Sequence, residues 1–362
     1  MNKIILLKSI DKVVGRLLVS LLGKNDHEQK PHVPMFGKIL VIRPGGIGDA
    51  VLLLPAIQRL KSAFPDSVID VLCEKRNAGV FELSEETGRL FLYDRDLELF
   101  KCLRNNYDVV IDTEQWHRLS AVVAFFTKAP VRIGFDTNER RKLFTHAVSY
   151  SHDRYEVYSF FHLIESIADI APVFDPDGPF VRISEAVPSR LLPDTRGEII
   201  AIFPGASVAE RKWGGEKYGP LAKALQDKGY QIVILGSTAD SAEAARIKDI
   251  APDCVDLTGM TSLREAAIIL KHGRLLITAD SGIMHVAYAV GAPTVSIFGS
   301  GIEKKWAPPG KDHIVLNKRL ACSPCTRFGY TPQCMNNIEC LASVSVEEVL
   351  KAAETTLSLP LL

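Results

Sequence analysis

The chain has 362 residues, a length that favours two domains, and 47% hydrophobic with 24% charged residues is typical of a soluble globular protein with real cores. Lys+Arg and Asp+Glu both number 43, so the formal net charge is zero. Nothing in that balance points to nucleic acid, and a polyanionic partner must be met by local patches.

In residues 1–24, apolar Ile4, Ile5, Leu6, Leu7, Ile10, Val13, Val14, Leu17, Leu18, Leu21 and Leu22 recur at helical spacing. Lys3, Lys8, Lys12, Arg16 and Lys24 are interleaved with them. Charges at positions 8, 11, 12 and 16 break any span of roughly 20 apolar residues, so this is no transmembrane helix. They interrupt a signal-peptide core as well. Two readings stand: a basic amphipathic helix on an anionic membrane surface, or a helix packed on the protein or another subunit. Polar residues 24–34 follow as a linker, and the first domain is expected to start at residue 37.

Residues 39–50 read I-L-V-I-R-P-G-G-I-G-D-A, a buried strand, a tight glycine loop and a helix start. Open α/β folds bind ligands at this edge of the sheet. Counted from Gly46, the third glycine of a dinucleotide fingerprint is replaced by Val51, and no Gly-Lys-Ser/Thr of a P-loop follows. A carboxylate here would repel phosphate, so Asp49 suits a base or hydroxyl-binder, with a helix N-cap as the plain alternative. Further strands are expected at 68–72, 90–93, 109–112 and 131–134, with helices at 51–63, 97–105, 119–127 and 155–170. A proline- and aspartate-rich stretch then leads to a linker at 181–196.

A second series follows, with strands at 198–203, 231–235, 255–257, 275–278, 294–298 and 313–316. Its helices are expected at 218–228, 241–250, 263–271 and 281–290. Alternation of this kind in both halves means two parallel-sheet domains, 37–180 and 197–345, with a ligand cleft between them. A last helix at 346–357 is expected to cross back onto the first domain.

Three loops of the second half follow strands. Residues 203–213 end in Arg211, Lys212 and Trp213; two cations beside Ser207 suit a diphosphate or are a solvated pair. Asp240 sits where it would accept from ribose hydroxyls or cap the next helix. In 277–285, Asp280, Ser281, Gly282 and His285 put small residues at a helix N-terminus, where backbone N–H groups receive phosphate.

Together, G-G-I-G-D, P-G-A-S-x-x-x-R-K-W, G-M-T-S-L and A-D-S-G-I-M-H, in this order over residues 37–350, resemble the heptosyltransferase family (glycosyltransferase family 9). The resemblance implies a GT-B architecture: two Rossmann-like parallel-sheet domains facing a central cleft, acceptor on the first and sugar nucleotide on the second. It implies inverting, metal-independent transfer of a heptose from an ADP-sugar donor to a lipopolysaccharide inner-core or related acidic glycolipid or glycan acceptor. Asp49 would be the general base. Ser207, Arg211, Lys212, Asp240, Gly259, Thr261, Asp280, Ser281, Gly282 and His285 would hold the donor, with Gly259 and Thr261 beside the adenine. Arg43, Gly45, Gly46, Gly48, Arg118, Arg140 and Arg141 would face the acceptor. The enzyme would then be cytoplasmic, peripheral on the inner face of the cytoplasmic membrane through its N-terminal helix. Competing expectations are a nucleotide-sugar 2-epimerase, a transferase using another nucleotide sugar, and a catalytically silent sugar-binding protein.

No D-x-D stands at a sugar-nucleotide loop; Asp94-Arg95-Asp96 lies in the first half and reads as solvated charge. Of seven cysteines, Cys73, Cys102 and Cys254 are scattered and read as core residues. Cys322, Cys325, Cys334 and Cys340 begin with C-x-x-C and read either as a structural zinc or iron site or as reduced packing thiols.

Overall fold

The computed structural model describes residues 10–23, 36–95, 97–167, 170–192 and 197–359. The chain start, the linker 24–34 and Asp96 lie outside the described residues. Two compact units divide the chain, Met1–Phe174 and Asp175–Leu362.

The first unit is a six-stranded sheet of β1 (Lys38–Arg43), β2 (Val68–Cys73), β3 (Leu90–Leu92), β4 (Val109–Asp112), β5 (Val131–Phe135) and β6 (His146–Val148). All its pairings are parallel, in the order β3-β2-β1-β4-β5-β6. The second holds β7 (Ile199–Phe203), β8 (Gln231–Ile234), β9 (Val255–Asp256), β10 (Leu275–Ala279), β11 (Thr294–Phe298) and β12 (His313–Asn317), also parallel, in the order β12-β11-β10-β7-β8-β9. Numbered from its own first strand, each sheet has the doubly wound order 3-2-1-4-5-6. Central strands such as β4 and β10 are buried at every position, because helices cover both faces of a parallel sheet.

Every strand expected from the sequence lies within one residue of its place. The sequence pattern missed β6, three residues long with no apolar run. It also missed the helix Lys75–Phe81, whose opening Lys-Arg-Asn looks like solvated charge and which a Glu74/Asn77 capping box starts. The helix expected at 51–63 begins earlier, as Ile47–Ala63, and that expected at 155–170 is shorter, Glu156–Ile164.

Arg16–Leu22 is helical, preceded by a π-turn at Asp11–Gly15. Val19 is buried in the first unit's core with Leu40, Ala121, Val122 and Leu143. Asp11 Oδ1 accepts the Leu119 N–H at 2.8 Å. The helix thus packs on its own protein, yet Val13, Leu17 and Leu21 remain 72%, 58% and 71% exposed on its outer face. Among the described residues no helix is long and apolar enough to cross a membrane. At the other end, helix Val346–Leu357 buries Val349, Ala352 and Ala353 among β7, β10 and β11 residues of the second core, so its apolar face is used there. The stretch expected as a linker from 181 is tied to that unit too: Phe180 and Val181 both donate to the Ala289 carbonyl.

Candidate active site

In each sheet the strand order reverses between the first and fourth strands, and ligands of doubly wound folds bind outside the C-terminal ends of those strands. Asp49 stands there in the first unit. The helix cap is Gly46, so Asp49 lies in the first turn and is not the N-cap. Its Oδ1 is buried with no hydrogen-bond partner among the described residues, and Oδ2 lies 3.8 Å from Arg43 Nη2. An orphaned carboxylate oxygen keeps its acceptor capacity unused. Gly45 takes φ +102°, a left-handed conformation suited to glycine, and donates its N–H to Glu74 Oε1 at 3.1 Å. Its neighbour Gly48 lies in the same helical turn as Asp49.

Arg43, expected to face an acceptor, is instead 2% exposed. It donates to the Pro44 carbonyl at 2.7 Å and the Thr113 carbonyl at 2.8 Å, and it lies 3.7 Å from Glu114 Oε2. Burial opposes its charge, but Asp49, Glu114, Glu156 and Asp112 outweigh burial and raise its pKa. Arg140 is also corrected. It is fully buried, pairs with Asp112 Oδ2 at 2.6 Å and donates to the Glu114 carbonyl, so it supports the β4 loop and has no surface to offer an acceptor. Arg118, 3.8 Å from Glu139, and the exposed Arg141 remain near the surface. The sequence reading missed Glu114, Gln115 and Glu156, which join this network; Gln115 donates to Glu156 Oε1 at 2.7 Å. Glu114 and Gln115 follow β4, so the same sheet-edge rule points to them, whereas Glu156 carries no sequence signal.

In the second unit the loop after β7 carries an exposed Ser207, then the turn Ala209–Arg211. Trp213 is buried, its Nε1 donating to the Val344 carbonyl at 3.1 Å, which anchors the loop's end. Arg211 Nη1 lies 3.3 Å from Asp280 Oδ2, and Lys212 Nζ lies 3.8 Å from Glu243 Oε1. Asp280 has no room for a bulkier neighbour: a Cβ on Gly301 would stand 2.0 Å from its Oδ2.

Ser281 is the N-cap of helix Gly282–Ala289, but its hydroxyl pairs with Thr278 Oγ1 at 2.9 Å and makes no capping bond. The helix start therefore keeps backbone donors for an anion. His285 is buried, with Nδ1 unpartnered among the described residues. Burial lowers its pKa to about 4 against the opposing pull of Asp280, so the imidazole is neutral near pH 7. Asp240 Oδ2 closes its own loop, accepting from the Ser237 N–H and hydroxyl at 2.8 and 2.7 Å. Gly259, at φ +72°, packs its backbone against that loop, its N–H donating to the Gly236 carbonyl at 2.8 Å. Half-buried Thr261 precedes the capped helix Leu263–His272.

The description of glycosyltransferase family 9 (heptosyltransferase) matches residues 97–335, about two-thirds of the chain. The chain belongs to glycosyltransferase family 9. It is a glycosyltransferase of the heptosyltransferase family. It is 29% identical over 308 residues to lipooligosaccharide heptosyltransferase 2 of Haemophilus influenzae, covering 77% of this chain and 87% of that protein. Its fold is like that of the ADP-heptose lipopolysaccharide heptosyltransferase II of E. coli (TM-score 0.74, 24% identity, 88% of this chain and 98% of that one). A family 9 glycosyltransferase from Veillonella parvula is similar (TM-score 0.75, 22% identity, 89% and 97%). The family match begins beyond Asp49, so that residue's place rests on the first sheet's geometry.

The family 9 match reaches into the cysteine segment, where the metal expectation meets a different geometry. The donor set is right for zinc or iron, and the thiols raise one another's pKa at Cys325 and Cys340, after burial as the main cause. Yet among the described residues no group of three or more Cys, His, Asp or Glu is placed to hold a metal ion. Cys340 is drawn into the core against Gly299, Cys322 is exposed, and Cys334 Sγ accepts backbone N–H groups of its own turn from Asn336 and Ile338.

Proposed function

We propose that this enzyme transfers a heptose, with inversion, from ADP-heptose to an inner-core lipopolysaccharide acceptor, and that Asp49 is the general base. ADP-heptose and lipopolysaccharide are the words in the names of the similar heptosyltransferases, and the inner-core position is what the sequence resemblance implies. One observation carries the reading. The two sheets place complementary chemistry at equivalent edges, a carboxylate with an orphaned oxygen after β1 and two cations with an uncapped helix start after β7 and β10.

In this reading the acceptor hydroxyl oxygen forms its bond to the anomeric carbon while Asp49 takes the hydroxyl proton. The bond from that carbon to the diphosphate oxygen breaks, and ADP leaves with the electron pair. Arg211, Lys212 and the N–H groups starting helix Gly282–Ala289 hold the charge that develops, the task a divalent cation performs elsewhere. Neutral His285 and Asp280 serve the sugar and diphosphate as polar contacts, and Asp240, Gly259 and Thr261 line the nucleoside side. The N-terminal helix is proposed to rest its outer face, Val13, Leu17 and Leu21 flanked by Lys12 and Arg16, on the anionic inner leaflet.

The test is Asp49→Ala. Transfer from ADP-heptose should fall by about 10²–10⁴-fold, with ADP-sugar binding nearly intact, since the base acts on the acceptor. Loss of donor binding in this variant would make Asp49 nucleotide-facing or structural and sink the assignment. A thermal-shift comparison of ADP-, UDP- and GDP-sugars tests the donor, with ADP expected to stabilise most.

A further inference from the structure

Arg211 is held from two directions. Asp280 takes Nη1 on one side, and Nη2 donates to Thr326 Oγ1 at 3.4 Å on the other. Its Nε is buried without a partner among the described residues. Thr326 is fully buried, and its hydroxyl also pairs with Thr331 Oγ1 at 2.9 Å. A guanidinium has only N–H donors, so Thr326 Oγ1 accepts from Arg211. Its second lone pair and its own O–H both stay available to Thr331, so the hydroxyl joins Arg211 to Thr331.

The backbone behind this hydroxyl is tied to the same loops. Cys325 and Thr326 both donate N–H groups to the Ser300 carbonyl, at 3.1 and 2.9 Å. Ser300 Oγ donates to the Glu210 carbonyl at 3.4 Å, and Glu210 Oε1 accepts the Cys334 N–H at 3.4 Å. The cysteine-bearing segment is therefore stitched to the turn Ala209–Arg211 and to the loop after β11. Apart from its thiols, the segment has a structural task in these contacts.

We infer that Thr326 is a positioning residue for the donor diphosphate, which makes the cysteine-rich segment the floor of the donor site. The inference rests on Arg211 as the diphosphate cation. A long, flexible arginine held only by Asp280 keeps its freedom to rotate about that one contact, and ordering it on ligand binding costs affinity. The second contact fixes the guanidinium plane. It leaves the remaining Nη hydrogens for phosphate oxygens, which arginine can hold with a pair of parallel N–H donors.

The experiment measures ADP binding by calorimetry, together with donor and acceptor KM, on the full chain. The variants are Thr326→Val, Thr326→Ser and Arg211→Ala. Thr326→Val keeps the volume but removes the acceptor, and should weaken ADP binding and raise donor KM about tenfold, with acceptor KM unchanged. Thr326→Ser restores the hydroxyl and should return both to within about twofold of wild type. Should Thr326→Val fail to fold, Thr326→Ala carries the same test. Unchanged ADP affinity without the hydroxyl, or equal losses with serine and valine, would overturn the positioning role. Unchanged ADP affinity in Arg211→Ala would instead overturn the reading of Arg211 beneath it.

Discussion

Arg43 shows how far a residue's type and its role can separate. In the chain it is a cation beside a glycine loop and looks like a ligand contact. In the fold it is a buried counter-ion shared by Asp49, Glu114, Glu156 and Asp112. Removing one partner from a buried charged cluster leaves the others uncompensated. Arg43→Met should therefore destabilise the first unit by about 3–5 kcal/mol in urea unfolding, and an effect within about 0.5 kcal/mol, as for a surface arginine, would refute the burial argument. The place of Asp49 was legible because a carboxylate after the first strand sits at the C-terminal edge of a doubly wound sheet. The contact of Thr326 with Arg211 was not legible, because it joins segments 115 positions apart.

At the scale of elements, hydrophobic runs located the strands well, since a parallel strand covered on both faces has to be apolar throughout. Elements without such a run, β6 and Lys75–Phe81, escaped notice. The N-terminal helix packs one face on the protein and leaves the other exposed. Val19 packs on the protein, while Val13, Leu17 and Leu21 recur every four residues on the outside. Changing these three to Ser should abolish co-sedimentation with phosphatidylglycerol vesicles while the thermal midpoint stays near wild type, because none of them is in the core. Wild-type protein that ignores such vesicles would remove the membrane role.

For the whole molecule, two histidines of the second unit, buried His285 and half-buried His313, contribute to the acid limb of stability. Burial holds His285 and His313 at about 4. Above pH 6.5 both are neutral whether folded or not, so they cost nothing. Between 6.5 and 4 the unfolded chain takes up protons that the folded one refuses, and stability falls as pH falls, by up to about 3 kcal/mol for each. Below 4 both states are protonated and the loss stops growing. His313→Asn should lose less urea resistance between pH 7 and 4.5 than wild type, and identical losses would remove His313 from the acid limb. The sequence by itself determined two βα-alternating halves, a carboxylate after the first strand and cations after the seventh, because burial periodicity and turn chemistry are local. Only the tertiary structure decided which charges are buried counter-ions, and that the cysteine segment touches Arg211 through Thr326. Burial and partner choice belong to the packed chain, where residues far apart in sequence compete for the same few polar contacts.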